Sequence, residues 1–112
     1  MAGAVATRLD SIKAKAGIRS REVAEMVGAT PQTVSRWRQG HVEPQPAHLN
    51  RLLTLEWLTS ELAEFYDREE SRLWIFSPHR LLEGETPAAR IQNGRIDDVL
   101  ALIEQLKTGA YV

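Results

Sequence analysis

The sequence predicts an all-α protein, with an N-terminal helix-turn-helix bundle followed by a long helix and a small helical C-terminal domain. Apolar residues recur every three or four positions, as on one face of a helix, and no segment alternates with the period of a strand. Glycines and Thr-Pro pairs divide the chain into helix-length segments. Because 112 residues suit one domain or two very small ones, we place the expected boundary between residues 1–45 and 46–112.

Composition excludes several classes of protein. The chain has no cysteine, so it has neither disulfides nor thiolate metal sites. No apolar run approaches the roughly 20 residues of a membrane span, and the N-terminus lacks the apolar core of a signal peptide. We therefore expect a cytoplasmic protein without membrane contact.

The charge is distributed unevenly. Residues 1–45 carry seven Arg or Lys against four Asp or Glu, giving +3, whereas residues 46–112 carry seven against eleven, giving −4. A basic half joined to an acidic half indicates two tasks. The basic half suits nucleic acid, and the acidic half does not.

Two helices are predicted in the first 28 residues. The first covers residues 5–16 and ends at Gly17; the second covers residues 21–27, with Ser20 as its N-cap and Gly28 after its last residue. Their apolar positions are Val5, Leu9, Ile12, Ala16, Val23, Ala24 and Val27.

The segment "GATPQTVSRWRQG" predicts a third helix. Thr30 is its cap, Pro31 stands at the first position, where a missing N–H costs nothing, and Gly40 ends it. Two short helices joined by a glycine-containing turn are typical of a helix-turn-helix. A solvated helix of an ordinary bundle is the alternative.

A helical projection divides the third helix into two faces. Val34 and Trp37 share a narrow apolar face, which favours core packing of Trp37 over contact with DNA. The opposite face has residue types that bond base edges in the major groove. We assign base reading to Gln32, Thr33 and Arg36, and phosphate contacts to Thr30, Ser35, Arg38 and Gln39.

A long helix over residues 47–66 is predicted after a linker that contains Pro44 and Pro46. Its broad apolar stripe suits either a homodimer, which would present two recognition helices to an inverted repeat, or the core of its own subunit. The stripe comprises Leu49, Leu52, Leu53, Leu55, Trp57, Leu58, Leu62, Phe65 and Tyr66.

The remaining helices are marked by cap-and-proline pairs. Ser77-Pro78 and Thr86-Pro87 each predict a helix start, and Gly94 ends the second of these helices. The last helix covers residues 96–108 and ends at Gly109. Its expected apolar face consists of Ile96, Val99, Leu100, Ile103 and Leu106.

No catalytic constellation is visible in the sequence. His41, His48 and His79 are widely separated, so they do not form a metal-ligand motif. The acidic pairs suit helix starts or solvated surfaces, and no glycine-rich phosphate loop is present. We expect no enzyme activity, no metal and no cofactor.

The chain resembles a known family in both halves. "SRWRQG" is similar to the end of the recognition helix in Xre/Cro-like helix-turn-helix proteins, and residues 73–112 resemble the toxin-binding domain of Xre/MbcA/ParS-type antitoxins. His79 stands where the family has Asn, and Glu83-Gly84 replaces a glycine pair. The matching positions are Trp74, Pro78, Leu81, Leu82, Pro87, Gly94 and the helix 96–108.

The resemblance implies an antitoxin that inhibits a cognate RES-domain, NAD-degrading toxin by occluding its active site, and that represses its own operon through the helix-turn-helix. On the basis of the apolar stripe of the long helix, we expect a homodimer, and a larger hetero-oligomer with the toxin is left open. A stand-alone Xre-family regulator whose second half dimerises or senses a ligand is the alternative. The implied toxin-binding residues are Arg80, Gly109, Ala110, Tyr111 and Val112. A frayed end without a role is the alternative for the C-terminal tail.

Overall fold

The computed structural model describes residues 3–109, and this part of the chain contains seven α-helices, one 3₁₀ turn and no strand. The all-α prediction is therefore confirmed. The elements are α1 (Ala4–Ala16), α2 (Ser20–Val27), α3 (Pro31–Gln39), α4 (Pro46–Leu62), α5 (Arg68–Phe76), the 3₁₀ turn (Arg80–Leu82), α6 (Pro87–Gln92) and α7 (Ile96–Thr108).

The first three helices follow the sequence prediction closely, with one correction. Gly17 ends α1 in the left-handed conformation, and Thr30 caps α3 by accepting the Thr33 N–H at 3.1 Å. The N-cap of α2 is Arg19, so the assignment to Ser20 is wrong. Glu22 accepts the backbone N–H of Arg19 at 3.0 Å, which satisfies the helix end one residue earlier.

The long helix, α4, is shorter than predicted because the next helix of the chain, α5, begins a few residues after it ends. α4 ends at Leu62, and residues 63–66 form a turn. Asp67 then accepts the Glu70 N–H at 2.8 Å while Glu70 accepts the Asp67 N–H at 3.0 Å. This reciprocal capping box fixes the start of α5 and ends the continuous helix expected over 47–66.

Ser77-Pro78 does not begin a helix, and that prediction is wrong. Ser77 is the extended residue that ends α5, as is usual before proline. The chain then forms a loop closed by the hydrogen bond from the His79 N–H to the Glu85 carbonyl at 3.1 Å. A ring nitrogen of His79 lies 2.8 Å from the Trp74 carbonyl, at the end of α5.

The last two helices begin and end close to the predicted residues. Thr86 caps α6 by accepting the Ala89 N–H at 3.0 Å, and α7 spans the predicted 13 residues. The buried face of α7 differs from the expected one. Leu102 is buried while Leu100 is only half-buried, because α7 packs against both α4 and α6.

One hydrophobic cluster extends through residues on both sides of position 45. α1 packs against α3, α4 and α5, and α2 packs against α3, α4 and α6. The proposed division at residues 45 and 46 stays a prediction. None of the helices in residues 3–109 has the length and apolar content needed to cross a membrane.

Candidate functional site

The turn between α2 and α3 is the tight glycine turn that the sequence predicts. Gly28 adopts φ of +82°, and both its N–H and that of Ala29 bond the Ala24 carbonyl at 3.0 and 2.9 Å. Val34 and Trp37 are 0% and 3% exposed, so the prediction that they anchor α3 in the core is confirmed. The indole of Trp37 lies 5.5 Å from the ring of His48 on α4.

The opposite face of α3 is open to solvent. Gln32, Ser35, Arg36 and Gln39 are exposed, and none of their side chains pairs with another side chain within residues 3–109. The structure thus brings four of the seven predicted DNA-contacting residues together as free hydrogen-bonding groups on one helix face. Their chemistry suits the edges of bases and the phosphates beside them.

The other three predicted DNA-contacting residues already have partners. The Thr30 hydroxyl donates to the Thr33 hydroxyl at 2.8 Å, so both side chains take part in the cap of α3. Arg38 donates to Asp10 on α1 at 2.9 Å, and both groups are partly exposed. An exposed pair of this kind is worth at most about 1 kcal/mol, so it leaves Arg38 able to exchange Asp10 for a phosphate.

In the C-terminal half of the chain, Arg80 and Leu81 of the 3₁₀ turn are exposed to solvent, whereas Leu82 of the same turn is buried. Gly109 ends α7 with φ of +74°. The predicted contacts at 110–112 lie outside the described residues. The exposed Leu81 was not among the predicted site residues, although two adjacent leucines in a tight turn cannot both face the core.

A buried arginine, which no sequence pattern indicated, holds the 3₁₀ turn, α6 and α7 together. Arg90 of α6 is 4% exposed and donates to the Leu82 carbonyl at 2.7 Å, to Asp98 of α7 at 2.5 Å and to Glu85. Burial lowers the pKa of Arg90, but the hydrogen bonds to Asp98 and Glu85 raise it above its ordinary value. The guanidinium therefore stays charged and fixes the 3₁₀ turn relative to α7.

A second arginine joins the two halves of the chain. Arg72 of α5 donates to both carboxylate oxygens of Glu22 on α2, at 2.9 and 2.7 Å, and to the Gly17 carbonyl at 2.8 Å. The hydrogen bond from Arg72 holds the pKa of Glu22 below its ordinary value, against the opposing effect of burial. Such a bidentate pair orients α5 against the start of α2.

An apolar groove runs between α4 and α7. It has a volume of about 490 Å³ and is lined by Leu53, Thr54, Trp57, Leu100 and Glu104. Trp57 is 41% exposed, whereas Leu52, Leu55, Leu58 and Leu62 on the other side of α4 are buried. The predicted stripe is therefore divided: most of its leucines form the core of this subunit, while Trp57 and Phe65 remain at the surface.

Antitoxins of mycobacteria are similar in sequence to this chain. The chain is 40% identical over 96 residues to the mycobacterial cidal antitoxin MbcA of Mycobacterium tuberculosis and of Mycobacterium bovis, over 86% of this chain and 85% of the relative. A probable mycobacterial cidal antitoxin from M. tuberculosis is 28% identical over 86% of this chain and 82% of its own length. No family model matches the chain.

The fold agrees with the sequence comparison. A chain in the crystal structure of the M. tuberculosis MbcT–MbcA toxin–antitoxin complex is 35% identical and superposes with a TM-score of 0.81, over 98% of this chain and 99% of that one. Sequence and fold therefore agree along most of both proteins, and the chain belongs to the family of MbcA antitoxins.

Proposed function

We propose that this chain neutralises a cognate RES-domain toxin that degrades NAD, that it does so by occluding the active site of the toxin, and that it represses its own operon. The observation that carries the proposal is the match over nearly the whole chain to a protein solved in a toxin–antitoxin complex. The RES class and the NAD chemistry rest on the resemblance of residues 73–112.

The proposed toxin-binding surface combines the 3₁₀ turn with the end of α7. Arg80 and Leu81 offer a charge and an apolar side chain in solvent, and Arg90 fixes the turn against α7. The segment 110–112 follows directly. Tyr111 has a flat apolar body with a polar tip, and Val112 beside it adds an apolar side chain of the size that a cleft could accept.

The proposed DNA-reading surface is the exposed face of α3. Gln32, Thr33 and Arg36 would read bases, since the N-terminal residues of a recognition helix enter the major groove. Removing one bidentate base contact costs about 1–3 kcal/mol of operator binding. Thr30, Ser35, Arg38 and Gln39 would contact phosphates and set the register.

Operator binding by this mildly charged protein requires two copies. Affinity for DNA grows with the number of phosphates neutralised, and residues 1–45 have a net charge of only +3. We place the homodimer contact at the groove of Leu53, Trp57 and Leu100, because this apolar surface remains exposed after the core is formed. The bound operator would then be an inverted repeat.

Deletion of residues 110–112 tests the proposal against its alternatives. The purified toxin encoded in the same operon is titrated with this chain while NAD consumption is followed, and operator binding is measured in parallel. The truncated chain should lose inhibition and keep operator binding, whereas Arg36→Ala should keep inhibition and lose operator affinity. Full inhibition by the truncated chain would exclude the plug, and binding to operator without any binding to the toxin would support a stand-alone regulator.

A further inference from the structure

A polar recess lies at the corner between α1 and α2. It has a volume of about 290 Å³ and is lined by Gly17, Arg19, Arg68, Glu69 and Arg72. Arg19 belongs to the basic half of the chain and Arg68 to the acidic half. The Nε of Arg68 lies 3.4 Å from the position that a Cβ on Gly17 would occupy, so the first residue of α5 packs against the entry to the helix-turn-helix.

The charges in the recess leave two arginines available. Arg72 is neutralised by its bidentate contact with Glu22. Arg19 and Arg68 are exposed, and neither forms an ion pair with a carboxylate within residues 3–109. Glu69 is the one acidic residue that lines the recess, so the two available arginines give it an excess of one positive charge.

The recess opens at the start of the helix that crosses the DNA backbone in a helix-turn-helix complex. When α3 enters the major groove, α2 crosses the phosphate backbone beside it. Arg19 is the N-cap of α2, and Arg68 stands next to it across the recess. We propose that Arg19 and Arg68 together bind a backbone phosphate of the operator, an inference that rests on the proposed DNA-reading function.

This contact extends the DNA-binding surface into the half of the chain whose net charge is −4. Of the neighbouring acids, Glu69 lines the recess and weakens the contact. Asp67 and Glu70 are directed to backbone N–H groups of α5, where they complement the positive end of that helix. α5 thus supports both surfaces: its first residue binds phosphate, and its last turn leads to the 3₁₀ turn of the toxin-binding surface.

The salt dependence of operator binding tests the proposal. Fluorescence anisotropy of a labelled operator duplex is measured with the full chain over a range of salt concentrations. Losing one phosphate contact makes the slope of log K against log salt shallower by about 0.9 for each protomer bound. At 0.1 M salt, this change corresponds to a loss of roughly tenfold in affinity per contact. Arg68→Gln should show this change equally on operator and unrelated DNA, and Arg68→Lys should keep the wild-type slope.

Matched variants separate the recess from general charge effects. Arg19→Gln should reproduce the effect of Arg68→Gln from the opposite wall, and Glu69→Gln should bind severalfold more tightly. Arg95→Gln removes the same charge at the corner between α6 and α7, where Arg95 pairs with Asp98 at 3.0 Å, and should leave the slope unchanged. Circular dichroism confirms folding, and Arg19→Gln carries the test if Arg68→Gln is unfolded.

The outcomes distinguish this proposal from the one on which it depends. Operator binding by the wild-type chain with an unchanged salt slope in Arg68→Gln and Arg19→Gln would overturn the phosphate site and leave DNA reading intact. An equal loss of slope in Arg95→Gln would also overturn it. Absence of operator binding by the wild-type chain at any salt concentration would refute DNA reading itself, and this site with it.

Discussion

Trp37 and Trp57 allow the same substitution to be compared in the core and at the surface. Trp37 is 3% exposed and Trp57 is 41% exposed. A tryptophan buries about 150–250 Å², which corresponds to about 4–6 kcal/mol at about 25 cal/mol per Å². After allowance for the alanine that remains, Trp37→Ala should lower the free energy of unfolding by about 3–5 kcal/mol. Trp57→Ala should cost less, about 2–3 kcal/mol, because 41% of its surface is already in water.

Urea unfolding followed by circular dichroism measures both changes. With an m-value of about 2 kcal/mol/M, a loss of about 4 kcal/mol lowers the midpoint by about 2 M. The measurement is repeated at several protein concentrations, because Trp57→Ala should also remove the concentration dependence that a homodimer gives to stability. If Trp37→Ala costs less than about 1 kcal/mol, or no more than Trp57→Ala, the assignment of Trp37 to the core and of Trp57 to the surface is refuted.

Three further predictions concern the ionic and turn residues. Because Arg72 lowers the pKa of Glu22 from 4.5, their pair stabilises the fold above the unfolded pKa, and its contribution is lost as the pH falls through the lowered value. Glu22→Gln should therefore lose less stability than the wild type between about pH 5 and about pH 3, and an equal loss in urea titrations would contradict this. Glu83 has φ of +58°, a conformation that favours glycine, and only a distant contact with Arg90 at 3.6 Å. Glu83→Gly should therefore raise the free energy of unfolding by up to about 1 kcal/mol, whereas Gly84→Ala should lower it. A loss of stability in Glu83→Gly would exclude backbone strain at this position. Arg90→Lys should lower the melting temperature by several degrees more than Arg95→Lys, because one ammonium cannot reach Leu82, Glu85 and Asp98 together; similar melting temperatures would rule out the buried cluster as a structural element.

Local signals in the sequence predicted most of the helices. The cap at Thr30, the proline at Pro31 and the glycine stop at Gly40 act within a few residues, and the structure contains each of them as predicted. The start of α5 was not predicted. Asp67 and Glu70 form a capping box there, directly after the segment 63–66 that apolar periodicity assigned to the long helix. The helix start predicted at Ser77-Pro78 was wrong because a serine before proline equally suits an extended residue that ends a helix.

The interactions that join distant parts of the chain were not predictable from one sequence. Arg90 meets Glu85 and Asp98 only because α6 and α7 fold against each other. Arg68 packs against Gly17 although about half the chain separates them in sequence. The net charge of each half therefore could not indicate that Arg68 lies beside Arg19. The exposed face of α3 was predictable because a single helix determines it.

The NAD content of cells in which the toxin is induced tests the central claim most directly. The toxin from the same operon is expressed alone, with the wild-type chain, and with the chain lacking residues 110–112. The wild-type chain should maintain both NAD content and survival, and the truncated chain should maintain neither. Loss of NAD at the same rate with and without the wild-type chain would contradict the proposal that this protein neutralises an NAD-degrading toxin.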